Sequence, residues 1–196
     1  FGGRAAAATA DSARRQPWIC QLSGMRIEPG SHEEYAAEIS LLQSGWDFVP
    51  VHELPAEQKH WFTLAVLLKK SQVFFTDNRE KPYVIFTLSD LKPGGAATTV
   101  SVFLFGTAFH RAFKTQPGDV LALINAKRVP PRAAAEGACA LSVDNAKQRQ
   151  LVRVGRAADF GVCKGTHARG GVCTAGINSA ECAHCERCAP CAAAGD

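Results

Sequence analysis

The middle of the chain carries a pattern of hydrophobic and polar positions that predicts β-strands. Apolar and β-branched residues fill 61–70, and similar segments cover 83–88, 99–105, 120–126 and 138–143. Turn sequences rich in Gly, Pro, Asn and Asp separate several of these segments, which together predict five strands. Residues 107–113 are predicted to form a short helix after the third strand.

An amphipathic helix is predicted upstream of the strands. Tyr35, Ile39 and Leu42 follow the helical period, with glutamates between them. Ser31 precedes them in the N-cap position. Residues 1–15 are rich in Ala and Arg, a composition found both in flexible lead-ins and in mitochondrial targeting signals. We favour a flexible lead-in.

Five strands with a short helix after the third form the element order of the OB-fold. This fold is a small Greek-key barrel that binds nucleic acid or oligosaccharide across one face. Other small barrels share the order, so the pattern predicts a mainly β fold and favours the OB-fold within that class.

Composition and charge narrow the class of protein. The chain has 196 residues, 46% hydrophobic and 20% charged, which indicates one ordinary domain or a small domain with a satellite and excludes fibrous and disordered classes. No apolar run reaches the roughly 18 residues of a membrane span. Lys and Arg outnumber Asp and Glu by 15 to 7 in residues 59–160, whereas acids prevail by 8 to 4 in residues 1–58. The predicted barrel is therefore the basic part of the chain.

Six of the eight cysteines lie in the last 34 residues, spaced C-x9-C-x8-C-x2-C-x2-C-x2-C from Cys163 to Cys191. A C-x2-C pair presents two thiolates to one tetrahedral zinc ion. One set that closes such a site is Cys163, Cys173, Cys185 and Cys188. An iron–sulfur cluster on the last four cysteines and a set of disulfides are the alternatives. Zinc is favoured because a cluster there leaves the first two cysteines unexplained.

Seven short motifs occur in a fixed order along the chain. They are LSGMRI (22–27), LSDL (88–91), VFLFG (102–106), LSVDN (141–145), DFGVCK (159–164), GVCT (171–174) and CAHC (182–185). This ordered set resembles the internal domain of the minichromosome maintenance protein 10 family, eukaryotic replication initiation factors. The resemblance covers about residues 20–190. It implies an OB-fold followed by a zinc finger, in a nuclear protein.

The resemblance also implies which residues bind the metal. The family's zinc site uses three cysteines and a histidine, and the histidine position is occupied here by Cys188. The ligands implied for one Zn²⁺ are therefore Cys163, Cys173, Cys185 and Cys188. Cys182, Cys191 and His184 are alternatives for the fourth ligand.

We therefore predict a mainly β chain with a five-stranded OB-fold barrel, an N-terminal helical or irregular segment and a small C-terminal zinc finger. The predicted boundaries are a lead-in at 1–19, a segment packing on the barrel at 20–60, the OB-fold at 61–154, the zinc finger at 155–191 and a tail at 192–196.

Candidate DNA contacts combine positive charge with one aromatic ring. Two lysines end the first long strand, and a lysine and a tyrosine begin the second, so the four can meet on one side of the barrel. The resemblance implies single-strand binding at the positions matching Lys69 and Tyr83. Further basic residues are predicted to extend this positively charged surface along the barrel and onto the zinc finger. The predicted contacts are Lys69, Lys70, Lys81, Tyr83, Lys114, Lys127, Lys164 and Arg169.

Phe103 and Phe105 lie at the end of the third predicted strand. A pair of nearby phenylalanines also occurs in motifs that bind the sliding clamp. Their position in a strand favours burial, and we predict that both belong to the core.

An enzyme is not supported, because the sequence contains neither a G-x-S-x-G motif nor a phosphate-binding glycine loop. We predict a non-enzymatic replication factor that binds single-stranded DNA and, more weakly, double-stranded DNA, acting as a scaffold at the replication fork. The resemblance implies three partners: the replicative helicase, DNA polymerase alpha-primase and the sliding clamp. The alternatives are a protein-interaction adaptor without significant DNA binding and an iron–sulfur protein.

Overall fold

The computed structural model of the chain describes residues 17–28, 40, 45–54, 60–77, 80–91, 98–129, 140–144, 150–166 and 170–188, and these contain thirteen strands and one complete α-helix. The strands are β1 (Trp18–Ile19), β2 (Arg26–Glu28), β3 (Asp47–Phe48), β4 (Trp61–Lys70), β5 (Phe74–Phe75), β6 (Pro82–Ser89), β7 (Thr99–Leu104), β8 (Asp119–Ile124), β9 (Lys127–Val129), β10 (Ala140–Val143), β11 (Leu151–Ala157), β12 (Phe160–Val162) and β13 (Gly176–Asn178). Helix α1 (Gly106–Ala112) joins β7 to β8, and a 3-10 helix covers Val51–Glu53.

The five predicted strands and the short helix are confirmed. Strand β4 has the predicted ends, and the ends of β6, β7, α1, β8 and β10 differ from prediction by one or two residues. Of the lead-in predicted at 1–19, residues 1–16 lie outside the described residues, whereas Trp18 and Ile19 form β1 and pair with β2. The apolar positions of the helix predicted after Ser31 also lie outside the described residues. Within the described part of the chain, no helix has the length and apolar character needed to cross a membrane.

The barrel strands close through the order β4, β6, β7, β10 and β9, with β8 returning to β4. All these pairs are antiparallel except β7 with β10, which is parallel. Between β8 and β9, Asn125 has a left-handed backbone with φ of 45°. Its side-chain oxygen accepts the Trp61 N–H at 3.0 Å, and its own N–H donates to the Trp61 carbonyl at 3.0 Å. This bend lets the chain pair with β4 through β8 and with β10 through β9.

Strand β4 is buried on both faces. Its side chains at 61, 65 and 67 point into the barrel, where they meet the inward residues of β6 and β7. Those at 62, 64 and 66 form a second core with residues from β2, β8 and β11 and with the chain around β1. Burial on both sides explains why this segment is almost continuously apolar instead of alternating.

Strand β11 was not among the predicted elements. It pairs with β8 and with β2, so it extends the sheet outside the barrel. A bulge between Arg153 and Gly155 interrupts its pairing with β8. A Cβ at Gly155 would lie 2.6 Å from the Glu28 carbonyl oxygen, so only glycine allows β2 this close. The boundary predicted between residues 154 and 155 falls inside this strand.

The barrel interior predicts a large loss of stability when an inward aromatic is truncated. Phe86 is fully buried in the barrel core. We expect Phe86→Ala to lower the free energy of unfolding by about 3–5 kcal/mol, because the change removes apolar contacts and leaves a cavity. Urea denaturation followed by circular dichroism measures the loss.

The neighbouring outward residue provides the control. Thr87 is half-buried on the opposite face of β6, and we expect Thr87→Ala to cost under about 1 kcal/mol. Equal losses for the two variants would contradict the assignment of the two faces of this strand.

Candidate metal centre and nucleic-acid interface

Four cysteine sulfurs converge at one point of the C-terminal region. One Sγ atom from each of the four lies within 4.8 Å of the others, and the four are Cys163, Cys173, Cys185 and Cys188. Two of these sulfurs, in Cys173 and Cys185, are 3.7 Å apart. A zinc ion with Zn–S bonds of about 2.3 Å in a tetrahedron requires sulfurs about 3.8 Å apart. The residues and their spacing fit a tetrahedral thiolate site that can hold one metal ion.

The turn after β12 brings the first cysteine into this cluster. The Sγ of Cys163 accepts backbone N–H groups from Gly165 at 3.3 Å and from Cys185 at 3.2 Å. A Cβ at Gly165 would lie 2.6 Å from the Cβ of Cys188, so a larger residue there would displace a ligand. An antiparallel β-bridge then pairs Thr166 with Val172, and this pairing brings the next residue, Cys173, to the cluster.

The surroundings of these thiols shift the pKa values of Cys163 and Cys188 in opposite directions. Burial raises the pKa of Cys163, but the two backbone N–H donors and its cysteine neighbours outweigh burial and lower its pKa to about 7. Burial and the other three cysteines raise the pKa of Cys188 to about 12. Cys163 is therefore prepared to bind a cation as a thiolate, whereas Cys188 must lose its proton when the ion binds.

The alternatives for the fourth ligand lie outside this group. Cys182 is disulfide-bonded and offers no thiolate to the ion. His184 is exposed and is not part of the sulfur cluster. Cys191 lies outside the described residues. Among the described residues, Cys188 is thus the residue that completes the set of four.

The region that carries the four cysteines packs directly on the barrel. Strands β12 and β13 form a small antiparallel sheet, and the Asn178 side-chain amide donates to the Leu91 carbonyl at 3.1 Å. A Cβ at Gly176 would lie 3.0 Å from the Leu68 side chain, which shows how closely β13 approaches β4. An ion pair of 2.8 Å joins Arg26 to Asp159.

A second candidate surface is formed by the outward side chains of the barrel. Lys69 is exposed and pairs across the sheet with Thr87. The ring of Tyr83 lies 5.2 Å from that of Phe105 and 6.0 Å from that of Phe103, measured between ring centroids. We call the surface defined by Lys69, Tyr83, Phe103 and Phe105 the barrel face, and Thr87 lies on the same side of the sheet without belonging to it.

The core prediction for Phe103 and Phe105 was wrong. Both are half-buried: Phe103 lies on the outward side of β7 and Phe105 directly follows the strand, whereas Val102 and Leu104 fill the core. The alternation in β7 decides this, because successive side chains of a strand point to opposite faces. Phe74 of β5 extends the cluster, with its ring centroid 5.7 Å from that of Tyr83.

Lys70, unlike the exposed Lys69, is hydrogen-bonded to another element of the structure. Its ammonium donates to the Ala112 carbonyl at 2.8 Å and to the Phe113 carbonyl at 3.4 Å, and it lies 5.5 Å from the Phe113 ring centroid. These are the last carbonyls of α1, whose C-terminus carries partial negative charge. Lys70 therefore caps this helix.

The other predicted DNA contacts are placed as follows. Lys81 is exposed just before Tyr83, and Lys127 is exposed at a position that pairs with Ser142, itself paired with Phe103. Lys114 is exposed beyond the end of α1, and Lys164 is exposed beside the first cysteine of the cluster. Arg169 lies outside the described residues. Lys69, Tyr83 and Lys127 thus occupy outward positions of the barrel strands, Lys81 is exposed next to Tyr83, and Lys114 lies apart from them, beyond the end of α1.

Comparisons with known proteins agree with this architecture. A family model described as MCM10 OB-fold matches residues 22–150. The chain is 35% identical over 130 residues to the human Protein MCM10 homolog, covering 66% of this chain and 14% of that protein. It is 32% identical over 127 residues to the Drosophila melanogaster Protein MCM10 homolog, covering 65% and 16%. For the DNA replication licensing factor mcm10 of Schizosaccharomyces pombe the identity is 32% over 124 residues, covering 63% and 20%.

The matched region contains every barrel strand, from β4 to β10. It also contains β2 and β3, whereas β1 precedes the start of the match at residue 22. The chain spans between 14% and 20% of the length of these three relatives. The chain therefore belongs to the MCM10 family, and its barrel is the OB-fold of that family.

Proposed function

We propose that this chain is the DNA-binding part of a nuclear, non-enzymatic DNA replication factor. Membership of the MCM10 family supports the replication role, and one matched relative is named a DNA replication licensing factor. The observation that carries the proposal is the cluster of aromatic rings around Tyr83 on one face of an OB-fold, with Lys69 exposed on the same face. Rings and cations side by side are what a single strand requires.

The barrel face binds single-stranded DNA more tightly than duplex DNA. Unstacked bases can lie against the rings of Tyr83 and its neighbours, while Lys69, Lys81 and Lys127 attract the phosphates. In a duplex the bases are already stacked on one another, so the rings have no free base face to contact. The phosphates remain available to the lysines, which leaves a weaker and more salt-dependent interaction.

The same proposal assigns one Zn²⁺ to the four cysteines of the C-terminal cluster. The ion would hold together a region with few apolar residues of its own, as structural zinc does in small modules. Lys164 and Arg169, the two basic residues predicted as contacts in this part of the sequence, would add positive charge for the DNA backbone. An iron–sulfur cluster on the run from Cys182 to Cys191 fits less well, because Cys182 is disulfide-bonded.

As part of a larger replication factor, the chain acts as a scaffold at the replication fork. The partners proposed for it are the replicative helicase, DNA polymerase alpha-primase and the sliding clamp. An adaptor that binds such proteins without significant DNA binding is the competing proposal, and DNA-binding measurements separate the two.

Metal analysis tests the zinc site. We expect the purified chain to contain one zinc ion per molecule and no visible absorption, and Cys173→Ser to lose the ion, since a structural site needs four ligands. Inductively coupled plasma mass spectrometry and a visible spectrum make the measurement.

Ser179→Ala serves as a matched control, because Ser179 is exposed on the same finger and lies outside the four cysteines. It should retain the metal. A brown chromophore with absorption near about 400 nm would contradict the zinc assignment and support iron bound by thiolates.

Substitution on the barrel face tests DNA binding. We expect Lys69→Ala with Tyr83→Ala to weaken binding of a thymidine oligonucleotide by about tenfold or more, because one stacked base contributes about 1–3 kcal/mol. Fluorescence anisotropy at several salt concentrations gives the affinity and its salt dependence.

Thr87→Ala changes a side chain on the same side of the sheet without removing charge or a ring, and it should bind like the unsubstituted chain. Circular dichroism checks that all variants are folded. Unchanged affinity in the double variant would show that the wrong face has been chosen, and an absence of DNA binding by the unsubstituted chain would favour the adaptor.

A further inference from the structure

A basic groove lies where the end of α1 meets β11, away from the aromatic cluster. Its volume is about 340 Å³, and three cationic side chains line it together with an apolar floor. The lining residues used below are Arg111, Lys114, Arg153, Leu121, Leu151 and Val152. Among the described residues, no carboxylate lines the groove.

We propose that this groove, called here the α1–β11 groove, binds the backbone phosphates of a single DNA strand that continues from the barrel face. The inference rests on the proposed function and extends it with a second phosphate site, in which Arg111 and Arg153 were not predicted contacts. Lys114 was predicted as part of a track on the barrel and takes its place in this groove.

The buried carboxylate of Asp119 holds the guanidinium of Arg153 in position. Asp119 has a side chain only 3% exposed, and its two oxygens accept the Gln116 backbone N–H at 2.8 Å and the Arg153 guanidinium at 3.0 Å. The carboxylate is therefore turned inward and shielded from the groove. A guanidinium has five N–H donors, and the bond to Asp119 uses one of them. Among the described residues, the groove has three cations in its lining and one withdrawn acid behind it.

The end of α1 would repel a phosphate if it were left uncapped. The C-terminal carbonyls of a helix carry partial negative charge, and Arg111 lies in the last turn of α1, with Lys114 just beyond it. The ammonium of Lys70 binds the carbonyls of Ala112 and Phe113 and offsets that charge. With the helix end capped, the neighbouring cations can attract an anion.

The same cap connects the groove to the barrel face. Lys70 follows Lys69 in β4, and its ammonium reaches the turn that contains Phe113 and Lys114. The ring of Phe113 is among the exposed large apolar side chains and lies 5.5 Å from the Lys70 ammonium, measured to the ring centroid. Lys70 and this ring thus link the end of β4, where Lys69 lies, to the turn that follows Arg111.

An acidic peptide would also be attracted by three cations above an apolar floor. Continuity with the barrel face favours DNA, because a DNA strand bound at Lys69 can place its next phosphates in the groove that Lys70 links to Lys69. The guanidinium groups also match phosphate oxygens with paired donors. The acidic peptide is therefore an outcome to be tested.

The salt dependence of binding tests the groove. Thymidine oligonucleotides of about 6 and about 20 nucleotides bracket the length that one OB-fold contacts. For the long oligonucleotide, we expect Arg111→Ala with Lys114→Ala to reduce the slope of log K against log salt by about 1.4, because each phosphate contact to a single strand contributes about 0.7. The affinity should fall about tenfold at physiological salt. For the short one, the slope should not change.

Two control variants separate charge from other effects. Arg111→Lys with Lys114→Arg keeps both charges and should retain most of the slope. Arg187→Ala removes one charge from an exposed position on the finger, outside the groove, and should leave the slope of the long oligonucleotide unchanged.

Each remaining result contradicts one proposal in particular. An unchanged slope in the folded double-alanine variant overturns the groove, even if the barrel-face variant has lost binding. The groove is also overturned if Arg111 and Lys114 respond in NMR spectra to a glutamate-rich peptide or to inorganic phosphate and not to the long oligonucleotide. Loss of slope in the groove variant together with normal binding by the Lys69 and Tyr83 variant would instead overturn the proposed barrel face.

Discussion

The double burial of β4 is the constraint on which the other parts of the structure depend. One face of this strand closes the barrel, and the other carries the second core formed with β2, β8 and β11. Its edges are hydrogen-bonded to β6 and β8 at the same time. Because apolar burial is the dominant favourable contribution to folding, the N-terminal segment and the barrel are stabilised by alternate residues of the same strand. The strand becomes solvent-exposed only near its end, after the bulge that precedes Lys69.

That exposed end is also where the candidate sites come together. Leu68 is close to Gly176 of the finger, Lys69 lies on the barrel face, and Lys70 binds the end of α1. The three candidate sites are the barrel face, the cysteine-containing region after β11 and the α1–β11 groove. They differ in chemistry, but the end of β4 supports all three. A rigid support matters for binding, since groups that are already in place lose less conformational freedom when a ligand arrives.

Much of the fold could be predicted because its signals are local. The alternation in β6 and β7, and the turns between strands, depend on residues near one another in sequence, and they predicted the five strands and α1 nearly to the residue. The four cysteines of the sulfur cluster formed one of the sets that the C-x2-C spacing allowed, and the family resemblance selected that set. The role of Phe103 was missed because a hydrophobic ring does not reveal which side of a strand it occupies until the register of the neighbours is known. Strand β11 and the groove at Arg111 and Arg153 depend on long-range pairing that no local pattern contains.

Lys69 and Lys70 stand side by side in the sequence, but they do not perform the same task. The first points to solvent, whereas the second is bonded to backbone carbonyls of another element. An alanine at position 70 would release the end of α1 and disturb the groove behind it, so a defect in binding would follow without any lost contact to DNA. Charge-scanning data from this pair of lysines therefore need a stability measurement at each position before either residue is counted as part of an interface.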